Sequence, residues 1–96
     1  MEMEIEFDAA KNAANCRKHG VSLSLAAQLD WDQALIWPDR RFAYDEPRMA
    51  ALLPIVAGVQ ATLYFAVFVE RGGRYRIISL RRASRKERWK YDHTYY

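Results

Sequence analysis

The densest group of side chains that could do chemistry lies between Glu70 and Tyr91, where arginine and lysine alternate with aromatic and hydroxyl residues. Residues 61–96 hold nine basic and three acidic side chains, a net charge of +6, whereas residues 1–60 have a net charge of −3. A basic surface of this kind is typical of polyanion binding, because each phosphate contact releases condensed counterions. The alternative is a solvated basic surface without a ligand.

Metal chemistry is not predicted. His19 and His93 are far apart in the sequence and have no cysteine or carboxylate partner at ligand spacing. The single Cys16 cannot form an internal disulfide, which fits a reducing cytoplasm. We therefore expect no cofactor.

The elements that must position the basic segment begin with a strand at residues 3–7, where apolar and acidic side chains alternate. Asp8 then caps a helix from about Ala9 to His19, and Gly20 ends it in the left-handed conformation. A second, serine-capped helix over about residues 22–29 would complete a helical hairpin.

Strands are predicted at residues 34–37, 48–56, 61–70 and 75–81, from their alternating or continuous apolar pattern. Gly72-Gly73 suits a tight turn with positive φ, which predicts an antiparallel hairpin of the last two strands. The strand at 61–70 is apolar on both faces, so we expect it in the centre of the sheet.

The sequence from Ser84 to Glu87 has the spacing of a capping box, so a C-terminal helix should start there. The last four residues, 93–96, are expected to fray. The size and pattern predict one α+β domain over residues 1–96, with an N-terminal helical hairpin packed on an antiparallel β-sheet and a C-terminal helix.

The apolar run from Met49 to Val69 is long enough to span a bilayer as a helix. Pro54 and Gly58 interrupt it, and β-branched and aromatic residues crowd its second half. Two strands joined near residues 57–60 explain the same pattern, so no membrane contact is predicted.

Several segments together resemble the BrnT family of bacterial toxins over about residues 5–91. The most specific are an early Lys-His-Gly-Val-Ser segment and a late Arg-Ile-Ile-Ser segment followed by a basic helix start. The matching residues are Phe7-Asp8, Lys11 to Asn15, Lys18 to Ser22, Glu70 to Gly72, Arg76 to Ser79, Arg81, Ala83 to Arg88 and Tyr91.

The resemblance implies a RelE-like fold and a metal-independent endoribonuclease that arrests growth in the cytoplasm. It also implies a ribbon-helix-helix antitoxin of BrnA type as partner, in a complex with two copies of each chain. That complex, and not the toxin alone, would bind operator DNA.

RNA cleavage without a metal requires an activated 2′-hydroxyl, neutralisation of the phosphorane charge and a proton for the departing 5′-oxygen. Guanidinium groups suit the second task, because they present a planar fork to phosphate oxygens. The family match and this chemistry select Arg76, Arg81, Arg85 and Arg88. Salt bridges to nearby carboxylates are the alternative role for these arginines.

The candidates for proton transfer are His19, Glu70, Glu87 and Tyr91. Each has a structural alternative: helix capping for His19, the capping box for Glu87 and packing on the helix–sheet seam for Tyr91. Further RNA contacts are expected from Lys18, Arg71, Arg82, Lys86 and Trp89, although Trp89 could instead pack in the core.

Two other functions remain open. The same basic residues could form a non-catalytic RNA- or DNA-binding module. A small interaction or membrane-associated protein anchored through residues 49–69 is the third possibility.

Overall fold

The computed structural model describes residues 4–41, 43, 45–55 and 62–95. Two short 3-10 helices, Leu23–Gln28 and Trp31–Gln33, follow the first α-helix. The remaining elements, in chain order, are β1 (Glu4–Phe7), α1 (Ala9–His19), β2 (Leu35–Asp39), β3 (Arg48–Pro54), β4 (Leu63–Arg71), β5 (Arg74–Arg82) and α2 (Arg85–Tyr95).

The five strands form one sheet in the order β1-β5-β4-β3-β2, so β4 is central as predicted. The α+β class is confirmed, but the expected N-terminal helical hairpin and purely antiparallel sheet are wrong. The chain begins with a strand, as the alternation at residues 3–7 predicts, but the second helix of the expected hairpin is a 3-10 helix. β1 pairs parallel with β5, with Glu4 opposite Arg74 and Phe7 opposite Ile77. The other neighbouring strands are antiparallel.

The segment after α1 is a 3-10 helix and not an α-helix. Its buried residues Leu23 and Ala26, and Leu29 just beyond it, recur every three positions. That spacing matches the three residues per turn of a 3-10 helix, which places all three side chains on one ridge against the sheet. The Asn12 side chain also fixes the start of this helix, because its Oδ1 accepts the Leu23 N–H at 2.8 Å.

Helix α1 begins and ends as predicted. The Asp8 carboxylate accepts the Lys11 N–H at 3.0 Å, and Gly20 has φ of 69° with its N–H bonded to the Cys16 carbonyl. These contacts satisfy backbone groups that a helix end otherwise leaves without a partner.

Asn15 joins α1 to the sheet. β1 pairs with β5 only as far as Ile77, so the outer edge of β5 at Leu80 has no strand beside it. The buried Asn15 amide takes that place: its Oδ1 accepts the Leu80 N–H at 3.1 Å and its Nδ2 donates to the Leu80 carbonyl at 2.7 Å. A third bond, from Nδ2 to the Val21 carbonyl at 2.8 Å, ties in the loop after the helix.

Apolar clusters cover both faces of the sheet, as the two-sided pattern of β4 predicts. Tyr64, Ala66 and Phe68 pack towards the 3-10 helices on one face. Phe65 and Val67 lie on the other face, in a cluster with Tyr91 of α2. The Tyr91 hydroxyl donates to the Gln33 carbonyl at 2.6 Å and so fastens α2 to the body of the domain.

The predicted turn and capping box are confirmed. Gly72 and Gly73 have φ of 55° and 82° and connect β4 to β5 in an antiparallel hairpin. The Ser84 hydroxyl accepts the Glu87 N–H at 3.1 Å, while the Glu87 carboxylate accepts the Ser84 N–H at 2.8 Å. Residues 93–96 were expected to fray, but α2 continues to Tyr95, so this prediction is wrong for residues 93–95.

The apolar run from residue 49 forms β3 and β4, but the predicted connection at 57–60 lies outside the described residues. Among the residues that are described, no helix combines the length and the apolar character needed to cross a membrane.

Candidate functional site

A basic groove of about 480 Å³ crosses the face of the sheet opposite the 3-10 helices. Helix α1 forms one wall, the residues around the β2–β3 connection form the other, and β4 and β5 form the floor. The apolar part of the floor is Phe65, Val67 and Ile78. The basic groove is lined by Lys11, Lys18, His19, Arg41, Arg48 and Arg81.

Arg81 is held in a fixed position within the groove. Its two terminal nitrogens lie 2.8 and 2.9 Å from the two oxygens of Glu87, and its guanidinium carbon lies 4.4 Å from the centre of the Phe65 ring. The side chain keeps 30% of its exposure. A planar cation supported on a ring and by a carboxylate is preorganised to bind an anion on its open side.

Glu87 is a carboxylate at all physiological pH values. The bidentate bond from Arg81, together with the bonds from Ser84, lowers the pKa of Glu87 to about 2. Of the two roles expected for Glu87, the structure therefore favours the capping box over proton transfer. With so low a pKa, Glu87 is a poor acceptor of a proton near neutral pH.

His19 is the last residue of α1 and lies half-buried at the edge of the groove. Burial lowers its pKa below 6.5, and the nearby positive charges of Lys18 and Arg81 act in the same direction. The lowered pKa favours the neutral imidazole, which can accept a proton.

Three cations of the groove were not among the predicted site residues: Lys11, Arg41 and Arg48. Lys11 had a sequence signal, since Lys11, Asn15 and Lys18 are spaced by four and three residues and therefore share one face of α1. Arg41 and Arg48 had none, because they flank a charged loop whose position depends on the pairing of β2 with β3.

Arg41 is preorganised in the same way as Arg81. Its Nε and Nη2 donate to the two oxygens of the buried Asp39 carboxylate at 2.8 and 2.9 Å. Its guanidinium carbon lies 5.4 Å from the centre of the Phe65 ring. Two ion-paired guanidinium groups therefore share one aromatic support.

A second cavity of about 400 Å³, here called the tryptophan cleft, adjoins the basic groove and shares Phe65 and Arg41 with it. Its other walls are formed by Trp37, Ala50 and Leu52 from β2 and β3 and by Lys86, Glu87, Trp89 and Lys90 from α2. Trp89 is 62% exposed, so the alternative of core packing for this residue is wrong.

The structure separates the predicted arginines. Arg76 and Arg81 are five positions apart on β5, a distance of roughly 16 Å along a strand. Arg71 lies at the hairpin end of the sheet, where its Nε donates to Glu46 at 2.7 Å. The hydrogen bond from Arg71 is the main cause of the lowered pKa of Glu46, and the positive charge of Arg76 lowers this pKa further.

The basic residues of α2 are also divided. Arg85 is exposed at the first position of the helix, and Arg88 lies 3.6 Å from Asp92 in an exposed pair. Lys86 reaches the tryptophan cleft, whereas the buried Tyr91 packs on the helix–sheet seam. Arg82 lines a third cavity, which it shares with His19 and Tyr64.

Of the predicted residues, the basic groove thus combines Lys18, His19 and Arg81. Within the described part of the chain, no group of three or more histidine, cysteine or acidic side chains is placed to hold a metal ion. The site offers fixed cations, one imidazole with a lowered pKa and an adjoining apolar cleft.

The fold and the groove together define a small α+β protein that presents a cationic cleft suited to a polyanion. Residues 7–87 match the family described as the BrnT ribonuclease toxin of type II toxin-antitoxin systems, and the chain belongs to this family. Membership of a type II system implies an antitoxin as partner.

The crystal structure of the Brucella abortus ribonuclease toxin BrnT has a similar fold. It aligns with a TM-score of 0.64 and 24% sequence identity, covering 88% of this chain and all of the Brucella chain. A comparison with curated protein sequences gave no match.

Proposed function

We propose that this protein is a metal-independent endoribonuclease of RelE-like type that arrests growth by cleaving RNA in the cytoplasm. The observation that supports this proposal most directly is the juxtaposition of the fixed Arg81 guanidinium and the His19 imidazole, whose pKa is lowered, in one basic groove. Family membership supports the ribonuclease class.

In this mechanism a backbone phosphate lies on Arg81, and His19 accepts the proton of the adjacent 2′-hydroxyl. The 2′-oxygen then forms a bond to phosphorus, and the bond from phosphorus to the 5′-oxygen breaks. The 5′-oxygen takes a proton from solvent, to which the groove is open, and the products are a 2′,3′-cyclic phosphate and a 5′-hydroxyl. Arg81 stabilises the additional negative charge of the phosphorane.

Glu87 is a positioning residue in this mechanism. It holds both terminal nitrogens of Arg81, and its low pKa keeps it charged while it does so. Lys11, Lys18, Arg41 and Arg48 bind neighbouring phosphates along the groove. Arg76 and Arg71 have no role in the reaction, since they lie at the far end of the sheet.

The proposed partner is a ribbon-helix-helix antitoxin of BrnA type in a complex with two copies of each chain, which binds operator DNA where the toxin alone does not. Membership of a type II family supports an antitoxin. Its identity and stoichiometry are tested by co-purification with the product of a neighbouring gene and by light scattering of the complex.

The decisive experiment compares Arg81→Ala with Arg74→Ala in an RNA cleavage assay that contains EDTA. Both variants lose one arginine of β5, but Arg74 lies at the other end of the strand, where the exposed Arg74 pairs with Glu4 and with the half-buried Glu6. We expect the parent to cut RNA in EDTA, Arg81→Ala to lose about 10²- to 10³-fold in kcat and Arg74→Ala to retain the parental rate.

The main competitor is a binding module that uses the groove for affinity alone. Such a protein would bind RNA and leave it intact after long incubation. Equal cleavage by Arg81→Ala and the parent would instead contradict the assignment of Arg81.

A further inference from the structure

The tryptophan cleft differs in chemistry from the basic groove that it adjoins. The groove is lined by five lysine and arginine side chains and one aromatic ring, Phe65. The cleft presents three aromatic side chains, Trp37, Phe65 and Trp89, beside Ala50 and Leu52. The two cavities meet at Phe65 and Arg41, so a ligand chain on the groove can continue into the cleft.

We propose that the tryptophan cleft binds an unpaired nucleobase of the RNA strand whose phosphate lies on Arg81. The inference extends the proposed function by assigning a base-binding subsite and a substrate class, single-stranded RNA. Bases of a duplex are stacked and paired, so only an unpaired base can turn into a cleft on the protein surface.

Trp89 is the first reason for this assignment. Trp89 is 62% exposed, although exposure of so large an apolar residue gains nothing for folding. The His93 ring stacks on the indole with 3.9 Å between ring centres and 21° between planes. His93 thus covers and steadies one face of the indole, and Trp89 at the same time lines the cleft, where a flat ring can pack against it.

The charges around the cleft are the second reason. Lys86 and Lys90 line its rim on α2, and the Lys90 ammonium lies 4.1 Å from the centre of the Trp37 ring. Both lysines are exposed, so their ammonium groups can move to the phosphates that flank an inserted base. An apolar slot between cations suits a nucleotide better than it suits an uncharged apolar ligand.

The third reason is the short separation from the proposed reaction centre. Glu87 lines the cleft and at the same time holds Arg81 through bonds of 2.8 and 2.9 Å. A base in the cleft would therefore belong to a nucleotide close to the phosphate on Arg81. The cleft has a volume of about 400 Å³, within the range of small-molecule sites.

The test measures binding and cleavage separately. Binding uses a single-stranded oligonucleotide with 2′-O-methyl riboses, which cannot be cut, and a matched set in which one base at a time is missing. For the parent we expect one abasic position to weaken binding about 10- to 100-fold. Trp89→Ala should bind the intact strand as weakly as the parent binds that abasic strand, and Trp89→Phe should retain most of the affinity.

Phe7→Ala is the control, because Phe7 is another exposed aromatic residue but lies on β1, away from both cavities. It should bind all strands as the parent does. Circular dichroism of every variant checks that the fold is intact.

The outcomes separate the two proposals. If the protein binds the single-stranded oligonucleotide, binds one abasic version more weakly because of Trp89 and never cuts RNA, the base subsite is supported. The proposed function is then overturned. Equal binding of intact and abasic strands, or a preference unaffected by Trp89→Ala, would overturn the base subsite even if RNA is cut. Loss of antitoxin binding alone in Trp89→Ala would also overturn it, because the cleft would then be a protein-docking surface.

Discussion

At the scale of single residues, the ion pair between Arg81 and Glu87 links folding to the proposed chemistry. Glu87 is both the capping residue of α2 and the support of the groove arginine. A change at this position therefore affects the helix and the proposed phosphate site together.

Glu87→Gln should reduce stability at neutral pH by roughly 1–3 kcal/mol, because the amide retains the capping box but loses the charged bond to Arg81. The pKa of Glu87 is depressed from 4.5 to about 2. Its stabilisation is therefore complete above pH 4.5 and is lost as the pH falls towards 2. Denaturant unfolding between pH 7 and pH 2.5 should show this loss in the parent and a smaller one in Glu87→Gln.

Asp92→Asn is the matched control, since Asp92 pairs with Arg88 but both side chains are about half exposed. Its effect on stability should stay below about 0.5 kcal/mol. If the two variants are equally stable at pH 7, the Arg81–Glu87 bond is not a significant source of stability.

His19 predicts the pH dependence of cleavage. Its pKa lies below 6.5, and below that pKa the protonated ring cannot accept a proton. The value of kcat/KM for the parent should fall on the acid side with a midpoint below pH 6.5. His19→Ala should lose this limb, whereas a variant of the other histidine, His93→Ala, should retain it. An acid limb that persists in His19→Ala would assign the base to another group.

The candidate site could be predicted only in part from the sequence. Arg81, His19 and Lys18 were selected because their types suit phosphate chemistry, and the structure brings these three residues together in one groove. Arg76 was grouped with Arg81, although five positions on an extended strand separate them widely. Arg41 could not be foreseen, since its position depends on strand pairing and not on spacing within one element.

At the scale of elements, the features that depend on contacts between residues close in the sequence could be predicted from the sequence. The start and end of α1, the glycine turn and the capping box depend on residues within four positions of each other, and all were predicted. The parallel pairing of β1 with β5 joins Glu4 to Arg74, and no short-range pattern encodes such a contact. The choice of a 3-10 helix after Gly20 also depended on docking to the sheet.

The contact of α1 with the sheet through Asn15 leads to a prediction about stability. Asn15→Ala would leave the N–H and the carbonyl of Leu80 without their partner in a buried position. The part-buried carbonyl of Val21 would lose its partner as well. Each buried unsatisfied group costs about 1–3 kcal/mol, so we expect a loss of at least about 2 kcal/mol. Thermal and denaturant unfolding measure it.

Arg17→Ala is the control on the same helix, because Arg17 is exposed. It should change stability by no more than about 0.5 kcal/mol. A small effect of Asn15→Ala would show that water replaces the amide at the edge of β5.

At the scale of the whole molecule, the two faces of the sheet have different tasks. One face is covered by the 3-10 helices and supplies most of the core, and the other is only partly covered by α2 and leaves the basic groove open. Because the core lies mainly on one face of the sheet, the other face can expose the lysine and arginine side chains of the basic groove.

This arrangement predicts a steep dependence of RNA binding on salt. Neutralisation of four or five phosphates by the groove should give a slope of log K against log salt of about −3 for a single strand. Lys11→Ala and Lys18→Ala should each make the slope less negative by about 0.7, and Arg74→Ala should leave it unchanged. Equal slopes for all variants would place the RNA on another surface.

The bond from Asn15 to Leu80 spans 65 positions of the chain, and this separation has a consequence during synthesis. When the lysines of α1 leave the ribosome, Leu80 and Arg81 have not yet been released, and β1 has no neighbouring strand. The nascent chain therefore cannot assemble the basic groove until β5 has left the exit tunnel.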